Sequence, residues 1–251
     1  MKIQLLRHAT LIVTIDGKKI LVDPMLSQAE VMPPIANSPN SHRNPLVDLN
    51  IELDFQQDID GVLLTHTHRD HFDDAAAERI PLNKLILCQP EDENKLKNLG
   101  FFKIYPINDK LCWKGIDIQR TGGQHGTGEI AAQMAPVSGY VLQAEGEPSL
   151  YIAGDSIYCE VVSSVINKYQ PNLMIVNAGG ARFNCGDPIT MTAEDVAKVC
   201  RQATKTQIIA VHMEAINHCI ESRDALRTFL NLEGITDQVV IPMDGEILTY
   251  I

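Results

Sequence analysis

The segment from Leu63 to Asp74, LLTHTHRDHFDD, concentrates side chains that can bind metal ions. His66, His68 and His71 are three of the eight histidines of the chain, and Asp70 lies between the last two. Side chains two positions apart in an extended strand point to the same side, so His66 and His68 can share one ion. Asp70 and His71 follow a turn and can bind a second ion beside the first. The H-x-H-x-D-H spacing therefore predicts a metal site, and a polar turn between a strand and a helix is the weaker hypothesis.

Predicted secondary structure lies on both sides of this segment. The run GVLLT is typical of a buried strand, and α/β folds place their binding sites at the ends of such strands. The run DDAAAERI predicts a helix. Asp73 and Asp74 are expected in its first turn, where the helix dipole stabilises negative charge. These two carboxylates are therefore not counted as ligands.

Strand patterns occur in both halves of the chain. In the first half, KIQLLRH, TLIVTID and KKILVDP are short apolar runs, and Asp16-Gly17 between the last two predicts a hairpin. In the second half, strands such as SLYIAGD and TQIIAVH alternate with helices such as TAEDVAKVCRQA, for which Thr192 is the predicted N-cap. The final run QVVIPMDGEILTY predicts a closing hairpin. This order of elements predicts two mixed β-sheets packed together with helices outside.

One long segment lacks a periodic pattern. Residues 28–50 are rich in Pro, Asn and Ser, and loops of this length are commonly functional lids. We expect this loop to help select the substrate. Since neither a linker nor a short repeat interrupts the chain, residues 1–251 are predicted to form one domain.

Composition limits the classes of partner. The formal net charge of −11 repels phosphate backbones and anionic membranes, so neither nucleic acid nor a membrane is an expected partner. The N-terminal run MKIQLLRHATLIV lacks the features of a signal peptide, and no apolar run approaches the length of a membrane span. The six scattered cysteines predict reduced thiols and a cytoplasmic protein. A small molecule is the expected partner, and the sequence does not indicate an oligomeric state.

The run THTHRDH resembles the signature of the metallo-β-lactamase superfamily. The resemblance implies an α/β (α+β) fold, namely a four-layer αββα sandwich of two mixed β-sheets with outer helices. It also implies a mono- or dinuclear metal site with three further ligands, each after a predicted strand: His125 in RTGGQHGTG, Asp155 in YIAGDS and His212 in IIAVHM. His218 is a weaker rival for the position of His212.

The resemblance further implies how the ligands are divided between two divalent metal ions. The implied ligands are His66, His68 and His125 for the first ion, Asp70, His71 and His212 for the second, and Asp155 as the bridge. Nitrogen and carboxylate ligands suit zinc, and also manganese or iron. Zinc is the metal that the resemblance implies.

Within the superfamily, the run RHATLIVTIDGKKILVDP resembles the branch that contains L-ascorbate-6-phosphate lactonase and N-acyl phosphatidylethanolamine phospholipase D. Arg7 stands where that branch has Gly. The resemblance implies a hydrolase that uses a metal-bridged hydroxide to cleave an ester, lactone or phosphodiester bond of a small anionic metabolite. Asp70 and Asp155 are expected to hold the hydroxide and accept its proton. His8 is a candidate proton donor, or a support behind the ligands.

Two other function classes stay open at this point. A nucleic-acid phosphodiesterase or nuclease would need a basic face, and a non-catalytic metal-binding protein would be favoured by the loss of a ligand. Two residues have weaker assignments. Asp23, after the third strand, is a candidate to orient a ligand histidine. Arg43, in the long loop, is a candidate contact for an anionic substrate.

Overall fold

The computed structural model describes residues 1–49, 51, 53–134 and 136–251. The strands are β1 (Lys2–Arg7), β2 (Thr10–Ile15), β3 (Lys18–Val22), β4 (Gly61–Leu63), β5 (Ile86–Cys88), β6 (Ile104–Pro106), β7 (Lys110–Trp113), β8 (Ile116–Gly122), β9 (Ser138–Gln143), β10 (Leu150–Ile152), β11 (Leu173–Asn177), β12 (Gln207–Val211), β13 (Val239–Val240) and β14 (Ile247–Thr249). The helices are α1 (Asp74–Arg79), α2 (Glu93–Asn98), α3 (Gly128–Gln133), α4 (Glu160–Tyr169), α5 (Ala193–Gln202) and α6 (Arg223–Glu233).

Within the described residues there are two seven-stranded sheets, and each combines antiparallel and parallel strand pairs in the same way. The first sheet has the order β14-β1-β2-β3-β4-β5-β6, with antiparallel pairs up to β3 and parallel pairs beyond it. The second has the order β13-β12-β11-β10-β9-β8-β7, with antiparallel pairs from β7 to β10 and parallel pairs from β10 to β13. Each sheet therefore joins a hairpin half to a parallel half, and neighbouring parallel strands end at the same edge.

Apolar side chains cover both faces of each sheet because successive residues of a strand point to opposite sides. Val13 and Ile20 of the first sheet share one buried cluster with Ile118 and Leu142 of the second. The outer face of the first sheet packs against α1 and α2, and the outer face of the second packs against α4, α5 and α6. The predicted four-layer αββα sandwich of two mixed sheets is confirmed.

Polar side chains begin three of the helices by accepting hydrogen bonds from otherwise free backbone N–H groups. Asp73 accepts from Ala76 at the start of α1, Thr192 accepts from Asp195 at the start of α5, and Ser222 caps α6. The predicted N-cap Thr192 agrees with the structure, whereas Asp73 is itself an N-cap and lies just before the first turn. Within the described part of the chain, none of the helices is long and apolar enough to cross a membrane.

The predicted closing hairpin is wrong. Strand β13 joins the second sheet parallel to β12, whereas β14 joins the first sheet antiparallel to β1. Residues 241–246 therefore cross from one sheet to the other. The Asp244-Gly245 pair between two apolar runs has the pattern of a hairpin turn, but the unpaired edges of β12 and β1 each bind one of the two strands.

Arg7 holds both ends of the long loop. Its fully buried guanidinium donates hydrogen bonds to the carbonyl oxygens of Met25 and Ser27, before the loop, and of Val47, near its end. Arg7, which stands where the resembling branch has Gly, therefore binds the backbone at both ends of the loop. Asn50, the last residue of the predicted loop, lies outside the described residues.

Candidate metal centre

The seven predicted ligands lie after four strands that end on the same side of the sandwich. They are His66, His68, Asp70 and His71 after β4, His125 after β8, Asp155 after β10 and His212 after β12. All are buried except His68, which is partly exposed. The fold therefore brings together side chains that are up to 146 positions apart in the chain (212 − 66).

His66, His68 and His125 form one group of converging ring nitrogens. His66 Nε2 lies 3.0 Å from His68 Nδ1. The ring of His125 lies close to both, with ring centroids 5.8 Å from His66 and 5.4 Å from His68. The geometry agrees with the prediction that His66 and His68 point to the same side.

Asp70, His71 and His212 form a second group, with His8 beside them. His71 Nε2 lies 3.2 Å from His212 Nε2. Asp70 Oδ2 lies 3.5 Å from His212 Nε2 and 3.8 Å from His71 Nε2. Two residues of the turn before α1 thus lie close to a histidine that follows β12 of the other sheet.

The Asp155 carboxylate lies between the two groups. Its Oδ2 is 3.2 Å from His71 Nε2 and 3.4 Å from His125 Nε2, and its Oδ1 is 3.2 Å from His212 Nε2. Asn177 holds the carboxylate in place by donating from Nδ2 to Oδ1 at 2.6 Å. A carboxylate that reaches nitrogens of both groups has the geometry of a bridging ligand.

Asp23 supports one histidine of each group. Its Oδ2 accepts hydrogen bonds from His71 Nδ1 at 2.8 Å and from Thr65 Oγ1 at 2.6 Å. Because the Thr65 hydroxyl donates to Asp23, its oxygen accepts from His66 Nδ1 at 3.1 Å. Both histidines therefore turn Nε2 towards the centre, and this nitrogen carries the lone pair for a cation when the ring is neutral. The prediction that Asp23 orients a ligand histidine agrees with these contacts.

Two further histidines have the same arrangement. His125 Nδ1 donates to the carbonyl oxygen of Ile189 at 2.7 Å. His212 Nδ1 lies 3.5 Å from Cys219 Sγ. Because its Nδ1 donates, a neutral His125 ring presents the Nε2 lone pair to the centre, and His212 does the same when its Nδ1 donates to the sulfur.

The donor set fits divalent metal ions. The facing ring nitrogens lie 3.0 Å apart in the first group and 3.2 Å apart in the second. A tetrahedral zinc ion with Zn–N distances of about 2.0–2.1 Å holds its ligand nitrogens about 3.3–3.4 Å apart. The spacing of the ring nitrogens is therefore close to the spacing that a bound cation would require.

Charges within the centre set the protonation states of its ligands. Burial acts to raise the pKa of Asp155, but the adjacent His212 and His71 outweigh burial and hold the pKa of that carboxyl well below its usual range. The same balance, with His71 as the largest opposing charge, lowers the pKa of Asp70. Burial lowers the pKa of His66 well below its usual value. Ionised carboxylates and neutral imidazoles are the forms that bind cations.

Three residues of the centre have left-handed backbone conformations. The φ angles are 59° at His8, 43° at Asp23 and 71° at His212. Residues other than glycine rarely adopt this conformation, which persists where the surrounding structure enforces it. Each of the three directly follows a strand, so the turn both ends the strand and aims the side chain at the centre. The His212 N–H also donates to the His8 carbonyl oxygen at 3.0 Å.

His8 lies behind the ligands. Its ring is fully buried, its Nε2 is 3.4 Å from Asp70 Oδ2, and its ring centroid is 3.6 Å from that of His212. Burial lowers the pKa of His8 to about 3, so the ring is neutral at neutral pH and can donate one hydrogen bond to Asp70. This position suits a support for Asp70. The role of proton donor stays a prediction.

A cavity of about 330 Å³ opens beside the centre, where His68, Asp70, His125 and Asp155 face it. Its apolar wall comprises Met32, Pro33, Pro34, Ile35, Met134, Phe183, Ile189 and Ile216. The long loop supplies the first four of these, which agrees with the expectation that the loop shapes the substrate site.

Two candidate residues lie outside the ligand groups. Arg43 donates hydrogen bonds to the backbone carbonyls of Glu30 and Val31, within the loop itself. His218 lines the cavity but belongs to none of the possible ligand groups among the described residues, whereas His212 belongs to one of them.

Thr65, Asn177 and Cys219 support the centre and were not anticipated from the sequence. A usable signal existed for Asn177, which is a polar residue that ends the otherwise apolar run LMIVN. Thr65 likewise ends the apolar run before His66. Cys219 had no such signal, because its contact with His212 depends on how the intervening segment turns back.

Comparison with known proteins identifies the family. Residues 18–213 match the family described as a beta-lactamase superfamily domain. The chain is 36% identical over 258 residues to the UPF0173 protein YddR of Bacillus subtilis, with 100% of both chains covered. It is 25% identical over 98% of both chains to a UPF0173 metal-dependent hydrolase of Azorhizobium caulinodans. The chain belongs to the beta-lactamase superfamily.

Two solved structures match the fold along the whole chain. An isothiocyanate hydrolase from Delia radicum gut bacteria is 36% identical with a TM-score of 0.95, covering 100% of this chain and 99% of the other. A possible metal-dependent hydrolase from Veillonella parvula is 32% identical with a TM-score of 0.95, with the same coverage. The protein is a metal-dependent hydrolase with the metallo-β-lactamase fold, as the THTHRDH motif predicted.

Proposed function

We propose that this hydrolase uses two divalent metal ions, preferably zinc, to hydrolyse a small neutral isothiocyanate, R–N=C=S. The cavity carries the proposal, because a centre of histidines and carboxylates opens directly onto a wall of eight apolar side chains. Such a site suits an apolar substrate with one polar, electrophilic group placed against the centre. The proposed ligands are those of the two groups described above, with Asp155 as the bridge.

Among the described residues that line the cavity, no side chain offers an unpaired cation for the anionic metabolite expected from the sequence. Asp70 and Asp155 face the cavity as carboxylates, and two bound cations would more than balance their charge. Arg69 is the cationic side chain among the described lining residues, and it already forms an ion pair with Asp74. Arg43 is bound to the backbone of its own loop. A neutral substrate can enter this site without a counter-charge.

The similarity to the solved isothiocyanate hydrolase supports this substrate class, since it extends over the whole chain. The cavity volume of about 330 Å³ is at the lower end of the range for small-molecule sites. We therefore expect a short alkyl chain or a single aromatic ring as the R group.

Hydrolysis adds the oxygen of water to the central carbon and then breaks the C–N bond, so that R–N=C=S and H₂O give R–NH₂ and carbonyl sulfide. When bound, the two cations supply Lewis acidity and lower the pKa of water towards neutrality. Asp70 and Asp155, which are ionised, would accept the hydrogens of the attacking water. Both hydrogens end on the nitrogen, which leaves as the amine.

Product analysis with benzyl isothiocyanate tests the proposal. Zinc-reconstituted protein should release benzylamine and carbonyl sulfide, with about two zinc ions bound per chain. A lactone, a carboxylic ester and a phosphodiester, the substrates expected from the sequence, should be hydrolysed with lower kcat/KM. His66→Ala should lose metal and activity, whereas His42→Ala, a change in an exposed loop histidine, should retain both. Turnover of the lactone or ester without turnover of the isothiocyanate would refute the substrate class.

A further inference from the structure

His218 is a buried imidazole on the cavity wall that the proposed chemistry has not used. It is 4% exposed and lines the same cavity as His68, Asp70, His125 and Asp155. Its Nε2 has no hydrogen-bond partner among the described residues and is not sealed from the cavity. Burial lowers the pKa of His218 to about 4, so the ring carries one N–H at neutral pH.

The Cys219 thiol lies where it can favour one tautomer of the His218 ring. Its Sγ lies 3.5 Å from His212 Nδ1 and 4.0 Å from His218 Nδ1. His212 turns its Nε2 to the centre, and with a cation bound there its hydrogen would lie on Nδ1, which would donate to the sulfur. The thiol hydrogen is then free to point at His218 Nδ1. A ring that accepts at Nδ1 carries its proton on Nε2.

We propose that the Nε2–H of His218 donates a hydrogen bond to the substrate nitrogen during hydrolysis, and that Cys219 positions this donor by fixing the ring tautomer. This inference rests on the proposed function. The ring of Phe183 lies beside His218, with centroids 6.4 Å apart, so an R group packed on Phe183 places its attached nitrogen near the imidazole.

The Nε2–H of His218 would stabilise the negative charge that develops on the substrate nitrogen. When the water oxygen attacks the central carbon, one electron pair of the C=N bond moves to nitrogen. A neutral imidazole N–H stabilises that charge without giving up its own proton, as a fixed donor in a site partly closed to water. The nitrogen then receives the hydrogens of the attacking water, so the His218 ring is unchanged at the end of the cycle.

The tautomer is directly measurable. Long-range ¹H–¹⁵N spectra of the ¹⁵N-labelled zinc protein should show His218 as the Nε2–H tautomer. Cys219→Ala should give a mixture of tautomers, Cys219→Ser should restore the Nε2–H form, and Cys112→Ala, a change in an exposed cysteine, should match the wild type. A wild-type His218 protonated on Nδ1 would overturn the inference.

Kinetic measurements test the role of His218 in hydrolysis. His218→Phe should lower kcat for benzyl isothiocyanate by about 10- to 100-fold, with a smaller change in KM and unchanged zinc content. Cys219→Ala should lower kcat less, and Cys219→Ser should recover most of that loss. An active wild type with an equally active His218→Phe would overturn the role of His218 alone. A wild type without isothiocyanate activity would overturn the proposed function and the role of His218 together.

Discussion

Asp23 Oδ2 lies 2.8 Å from His71 Nδ1, and this hydrogen bond joins the end of β3 to the segment that carries four of the predicted ligands. The same oxygen accepts from Thr65, whose hydroxyl in turn accepts from His66. His66 and His71 are predicted ligands of different ions, and the two histidines also form a group with Asp155. One buried carboxylate therefore sets the orientation and tautomer of a histidine in each half of the centre.

Asp23→Asn is expected to weaken zinc binding. The amide keeps the size of the side chain but removes the negative charge, and its NH₂ group cannot accept from Thr65 and His71. Loss of such outer contacts typically lowers metal affinity by about 10- to 100-fold. Competition with a chromophoric chelator measures the change. Asp58→Asn, which alters an exposed carboxylate, is the matched control. Equal zinc affinity in the wild type and Asp23→Asn would contradict this role.

The part of the centre that was predictable from sequence depends on short-range geometry. His66 and His68 point together because residues in extended backbone alternate in direction, and Asp70 and His71 approach from another direction because the chain turns at residues 69–71, before α1. Asp155 and His212 follow apolar runs, so their places at strand ends were also predictable. These relations involve only a few neighbouring residues. The resemblance to the superfamily supplied the three distant ligands and their division between two ions.

The remaining features depend on contacts between distant segments. The left-handed backbones of His8, Asp23 and His212 are unfavourable locally and persist only in the assembled centre. The separation of β13 and β14 into different sheets likewise depends on which edges are free after the other strands have paired. No local pattern encodes the left-handed backbones or the separation of the two strands. For β13 and β14, the local sequence pattern predicted a hairpin instead.

Gly179→Ala is expected to displace His212. A Cβ at Gly179 would lie 2.1 Å from the His212 carbonyl oxygen, a contact that requires the backbone to move. Overpacking of this kind costs about 1–3 kcal/mol or more in unfolding free energy. Urea unfolding and zinc titration should both show a loss.

Gly122→Ala is the matched control for this change, because its nearest contact would be an ordinary 3.5 Å from Val161. An equal effect of the two substitutions on zinc affinity would show that the close approach at Gly179 does not position His212.

Arg7→Ala is expected to loosen the long loop. Removal of the guanidinium leaves the carbonyl oxygens of Met25, Ser27 and Val47 without their donor, and each unsatisfied buried group costs about 1–3 kcal/mol. Since this loop forms much of the apolar wall, KM should rise more than kcat falls. Hydrogen exchange of the loop amides should be faster. Arg43→Ala, in the same loop but exposed, should leave exchange near Met25 unchanged.

Acid should destabilise the metal-free protein through its buried neutral histidines. The folded-state pKa is about 3 for His8 and about 4 for His218, both below the usual 6.5, and burial is the main cause. In the unfolded chain these rings take up protons as the pH falls below 6.5. In the folded chain the same rings stay neutral until the pH approaches their lowered pKa values. Stability therefore falls with pH in this window. The pKa of His71 is raised because Asp155 and Asp70 outweigh burial, so its contribution is already complete below pH 6.5.

His218→Asn should remove part of this acid sensitivity. Its folded-state pKa of about 4 against the usual 6.5 corresponds to at most about 3 kcal/mol of unfolding free energy, lost between pH 6.5 and pH 4. Urea unfolding of the metal-free protein at a series of pH values should give a flatter curve for His218→Asn than for the wild type. His42→Asn, at an exposed position, should follow the wild type. The buried carboxylates Asp70 and Asp155 have lowered pKa values, so they lose their contribution only below the usual range of Asp and do not interfere. Parallel curves for the wild type and His218→Asn would mean that His218 is protonated as readily in the folded chain as in the unfolded one.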